Sequence, residues 1–140
     1  MTLETLSEAV INAGLEIYRA DRSEIRIAER IRMHLMDSGV VISLSPAPRV
    51  LVTIRAQRSD FPMASEGELF ELVRAALSAS TSARGYDEAN AAARDIVNPG
   101  DETDVLDVWH ELTYQKSIGD LAMLISEVQW ALSVPKCVEP

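Results

Sequence analysis

From Arg49 to Ala56 the chain alternates strictly. Val50, Val52, Ile54 and Ala56 fall on one side, and Arg49, Leu51, Thr53 and Arg55 on the other. A repeat of two is the side-chain period of a strand with one buried face. Just before it, Val40-Val41-Ile42-Ser43-Leu44 is short and β-branched, which predicts a second strand. Ser45-Pro46-Ala47-Pro48 supplies the turn between them. The pair predicts an antiparallel β-hairpin near residues 40–56. Two strands alone are marginal in water, so the hairpin must lie on helices or extend into a sheet with another chain.

The other segments carry helical spacing. Leu3, Leu6, Val10, Ala13, Ile17 and Ala20 recur at steps of three and four, and the stripe continues through Ile27, Ile31 and His34. Asp21-Arg22-Ser23-Glu24 has the form of a capping box, which predicts two helices, 3–19 and 22–37, with one long helix over 3–37 as the alternative. Gly39 follows as a stop. Ser65-Glu66-Gly67-Glu68 is a second capping box, opening a helix through Leu69, Leu72, Val73, Ala76 and Leu77. Residues 78–85 read as a polar loop. An alanine-rich helix is predicted over 87–97, ended by Asn98-Pro99-Gly100. Asp101 would cap a helix running to about Lys116, and after a new start at Ser117-Ile118-Gly119-Asp120 a last helix would run to about Ser133.

These elements predict a predominantly α member of the α+β class, a helical bundle of about six helices with one antiparallel β-hairpin near residues 40–56. The length of 140 residues fits a single domain over 1–140, with a helix-helix-hairpin half at 1–60 and an acidic all-helical half at 61–140. Cys137 is the only cysteine, so no intrachain disulfide forms. No apolar run approaches the roughly 20 residues of a membrane helix, and the first residues lack a signal-peptide pattern. The expectation is a soluble, cytoplasmic protein that does not bind membranes.

Charge is segregated. Residues 19–58 hold eight arginines against four acids, and the rest of the chain carries a net of −13. The total of −9 disfavours nucleic acid as a general partner, though not a local basic patch. On the predicted helix, Arg22, Arg26 and Arg30 form a stripe, and the hairpin adds Arg49 and Arg55. Like charges so spaced oppose their own helix, which points to an anionic group lying against them. The acidic surface of Asp104, Asp107 and Glu111 would meet a basic partner. Met123 and Trp130 lie opposite the Leu121, Leu124, Ile125, Val128 and Leu132 face of the last helix, a contact suited to an interface.

No catalytic, metal-binding or nucleotide-binding motif stands out. Asp107 and His110 have a ligand-like spacing, but on a helix they point away from Val105, Trp109 and Leu112, so no metal is expected. No cofactor is expected, and Cys137 lacks a base. The sequence therefore predicts a non-enzymatic protein–protein interaction module, an adaptor, regulatory or inhibitory factor of bacterial or phage type, with a homodimer expected. The alternative is a DNA-binding regulator using residues 22–58, with its C-terminal helices for dimerisation.

Overall fold

The computed structural model describes all 140 residues. It corrects the predicted fold class. The protein is not a helical bundle of about six helices; it is 44% strand and 31% helix. The elements in order are α1 (Leu3–Asn12), β1 (Glu16–Ala20), β2 (Glu24–Ile31), β3 (His34–Ser43), β4 (Arg49–Gln57), α2 (Glu66–Ala83), β5 (Asp87–Asn98), β6 (Asp101–Ser117) and α3 (Leu121–Ser133), with a 3-10 turn at Arg58–Asp60 after β4. The strands form one antiparallel six-stranded sheet in the order β1-β2-β3-β4-β6-β5.

Two compact units divide the chain. The first comprises residues 1–52 and 115–134, the second residues 53–114 and 135–140. In the first unit the core is Ile25, Ile27, Val40, Ile42, Val50 and Val52 from the strands, with Leu6 and Val10 from α1 and Leu124, Val128 and Ala131 from α3. In the second unit, Ile54, Ala56, Val108 and Leu112 are buried together with Leu69 and Val73 of α2. Here the backbone of Arg55 also pairs with the C-terminal segment: its N–H donates to Lys136 O at 2.9 Å, and its carbonyl accepts from Val138 N–H at 2.9 Å.

Each departure from the sequence expectation has a local cause. Helix α1 stops at Asn12 rather than continuing to residue 19, because Gly14 takes φ +80° and reverses the chain. The second predicted helix, 22–37, is replaced by β2 and the first part of β3. Its capping signature is an Asx turn: Asp21 Oδ1 accepts from Ser23 N–H at 2.8 Å and Glu24 N–H at 3.0 Å, closing the β1–β2 hairpin. The predicted 40–56 hairpin exists, with Val40 opposite Val52 and Ile42 opposite Val50, but as part of the larger sheet. Residues 78–83 continue α2 rather than forming a loop, and the Ser65/Glu68 capping box that opens it is formed. Alanine-rich 87–97 and acidic 101–116 are strands β5 and β6. Tertiary pairing overrides the helix propensity of alanine there. The final helix, capped by Asp120, is α3.

The β2–β3 ladder shifts register between Arg26 and Ala28. Arg26 pairs with Val41, whereas Ala28 pairs with Asp37, so β3 holds two extra residues at this point. Ser38 and Gly39 lie in this bulge. The buried Ser38 hydroxyl donates to Ile27 O at 2.6 Å and accepts from Val40 N–H at 3.2 Å, and Gly39 has φ +80°. A bulge bends a hairpin and increases its twist. Ser38→Ala is expected to destabilise the fold by about 1–3 kcal/mol, the cost of orphaning buried polar groups. Gly39→Ala should lower stability by about 1–2 kcal/mol through its left-handed backbone. Exposed Ser126→Ala should stay within about 0.5 kcal/mol. Urea unfolding curves measure all three.

Candidate functional site

Beyond the bulge, β2 and β3 continue as a two-stranded arm. Its cross-strand pairs are Glu29 with Met36, Arg30 with Leu35, and Ile31 with His34. The pairs with β1 end at Ala28, so the arm runs past that neighbour. Residues 30–37 are exposed. Four large apolar side chains are among them: Ile31, Met33, Leu35 and Met36, with Met33 88% exposed at the apex. Soluble proteins scatter single exposed apolar residues freely, but a cluster on one projecting element marks an interaction surface.

The apex is strained. Arg32 and Met33 occupy the two-residue turn with φ +51° and +72°. Positive φ at both central positions is the signature of a type I′ turn, which Asn-Gly fits and longer side chains resist. The arm is nonetheless anchored. Arg30 donates from Nε to Glu16 Oε1 at 2.7 Å, from Nη2 to Glu16 Oε2 at 2.9 Å, and from Nη1 to the Met33 carbonyl at 3.2 Å. Arg30 holds the Glu16 carboxyl below its ordinary pKa, chiefly by that hydrogen bond. Strain in an exposed turn that carries bulky apolar side chains points to those side chains having a use.

The predicted arginine stripe does not form. Arg22 sits exposed in the β1–β2 turn, and Arg26 lies 3.3 Å from Glu24 and 3.2 Å from Asp37. Arg49 donates to Gln115 Oε1 at 2.6 Å. Within the second unit the structure does bring predicted residues together. Arg55 lies 3.6 Å from the centre of the Trp109 ring and Arg94 5.2 Å from it, while Arg94 also pairs with Glu111 at 2.8 Å. Asp107 accepts from Gln57 Nε2 at 2.6 Å and from Ser59 N–H at 3.1 Å. Burial raises its pKa, but the hydrogen bonds outweigh burial and hold the carboxyl at about 2. Asp104 accepts from the Asn98 amide at 3.3 Å on an exposed stretch of β6. Met123 is 56% exposed on α3, whereas Trp130 is half-buried.

Asp107 and His110 do not meet. Three residues apart on a strand, they project to opposite faces. His110 points into the core at 0% exposure, edge-on to the Phe70 ring at 5.1 Å, and neither ring nitrogen has a hydrogen-bond partner. The expectation that His110 faces solvent is thus corrected. Sequence reasoning missed the four apolar arm residues, because Ile27, Ile31 and His34 also fit a helical stripe. The signal for strand is present in Glu24-Ile25-Arg26-Ile27, where polar and apolar residues alternate. No family model, curated protein or solved structure matches the chain.

Two results are expected. Replacing Arg32 with Asn together with Met33→Gly should raise the stability by about 1–2 kcal/mol, because the turn conformation becomes native to its residues; chemical denaturation measures it. Desolvation lowers the pKa of His110, the nearby Arg58 charge lowers it further, and Glu66 partly opposes. The folded state therefore binds fewer protons than the unfolded chain. Stability should be complete above the ordinary imidazole pKa and fall as pH drops below about 6.5. His110→Phe should remove that part of the pH dependence, read from denaturation midpoints across about pH 7 to 5.

Proposed function

We propose that this protein is a protein-docking module that acts by binding, without catalysis, and that the β2–β3 arm is its contact element. The observation that carries this reading is the cluster of Ile31, Met33, Leu35 and Met36, exposed on a strained turn. Methionine adapts its shape to irregular apolar surfaces at small cost, and the bidentate Arg30–Glu16 pair orders the base of the arm. A preordered arm loses less entropy on binding than a loose loop. The partner surface should be apolar at its centre, with acidic groups around it to meet Arg32, which takes part in none of the arm's ion pairs.

The DNA-binding alternative relies on an arginine-rich helix together with the hairpin, over residues 22–58. The predicted helix is replaced by strands, and Arg26 and Arg30 already face carboxylates. Both facts weigh toward docking to protein. No helix is long and apolar enough to cross a membrane.

Site-specific photo-crosslinking tests the proposal. Benzoylphenylalanine placed at Met33 should cross-link to a discrete protein species in the source cell. The same probe at Met63, which is 94% exposed but outside the arm, should not. Equal, diffuse labelling from both positions would remove the arm as a docking element.

A further inference from the structure

A second hairpin of this chain has the opposite character to the arm. Around the β5–β6 turn, Asp95, Asp101, Glu102 and Asp104 are all exposed, and no cation lies between residues 95 and 106. The Thr103 hydroxyl and backbone N–H donate to Asp101 Oδ1 at 2.7 and 3.0 Å and keep its carboxyl ionised by lowering its pKa. Beside these acids Val105 and Leu106 are also exposed, Leu106 at 60%. Successive strand residues point to opposite faces, so this hairpin offers apolar surface on both sides.

We propose that the arm's occupant is a second copy of this chain: the arm of one copy seats on the acidic β5–β6 hairpin of the other. Met33, Ile31 and Met36 meet Leu106, and Arg32 meets the carboxylate of Asp104, which lies two residues away on the same face of β6. The proposal deepens the docking reading and rests on it. Charge complementarity is what selects the second copy. The arm presents an apolar apex beside an arginine with no carboxylate partner in its own hairpin. The β5–β6 hairpin presents apolar side chains among four carboxylates. The contact joins two different surfaces of the chain, so each one links the arm of one copy to the hairpin of another.

Sedimentation equilibrium of the full-length protein with charge-reversed variants tests this. The wild type should self-associate reversibly, and more weakly as salt shortens screening to about 3 Å near 1 M. Arg32→Glu alone and Asp104→Arg alone should each weaken association by roughly tenfold or more, since each sets like charges against one another. Mixed in equal amounts, the two variants should recover wild-type association. In the mixed pair, one contact places the new Glu against the new Arg, and the other keeps Arg32 against Asp104. Both positions are exposed, and near-UV circular dichroism checks that each variant is folded. A wild type that stays monomeric at low salt overturns the proposal. Single variants that associate as the wild type does, or a mixture no tighter than its components, also overturn it. The docking reading is separable: cross-links from position 33 to a different protein, with a monomeric wild type, sink self-association and leave docking standing.

Discussion

The Ser38 hydroxyl, hydrogen-bonded to both Ile27 O and Val40 N–H, fixes the two-residue shift in the β2–β3 ladder. On one side of that step, Ile25, Ile27, Val40 and Ile42 are buried in the first unit. On the other, the same two strands run on as an arm whose apolar residues face water. Because two residues are inserted, the side-chain row keeps its face: Ile31 and Met36 continue the row of Ile25, Ile27 and Ile42, and they are exposed where the arm runs past β1. The bulge lies at the boundary between the stretch of hairpin buried in the first unit and the exposed stretch beyond it. Gly39 makes the step feasible through its left-handed backbone, and the Arg30–Glu16 pair secures the arm beyond it.

What could be read in the sequence follows from how singular each signal was. The strict alternation of β4 has only one interpretation, and Val50, Val52, Ile54 and Ala56 are all buried. Helix α2 is likewise marked by Ser65/Glu68, and α3 by the segment Ser117-Ile118-Gly119-Asp120, whose last residue is the cap. Elsewhere two periods fitted the same residues. In β6, Val105, Val108, Trp109 and Leu112 match a helix, while Val108, Leu112 and Tyr114 match a strand row. The row was hidden because His110, polar by type, fills its missing position in the core. Asp21 has a side chain that caps a helix or closes a turn with the same hydrogen bonds to nearby N–H groups. The alanines of β5 favour a helix on their own, and only pairing with β6 makes them a strand.

The site was legible in part. The spacing of Arg26 and Arg30 calls for anions, and carboxylates do lie against them, supplied by Asp37 and Glu16 on neighbouring strands. Arg55, Asp107 and Glu111 lie in the second unit, where Arg55 and the Arg94–Glu111 pair gather at Trp109 while Asp107 is held separately by Gln57 and Ser59. The apolar arm is not legible, because a residue's exposure depends on where the neighbouring strand ends, and Gly39 reads in sequence as a helix stop. The electrostatic contrast was visible throughout, and it now resolves onto two hairpins, one with Arg32 at its apex and one with Asp101, Glu102 and Asp104.

The account depends on residues 22–37 being a bulged hairpin with a left-handed apex, and NMR of the isotopically labelled protein addresses that most directly. The hairpin predicts cross-strand nuclear Overhauser effects between Ile31 and His34 and between Glu29 and Met36, with couplings that report positive φ at Arg32 and Met33. Sequential amide–amide effects running unbroken from Arg22 to Asp37, the mark of a helix, would contradict the arm and the docking surface built on it.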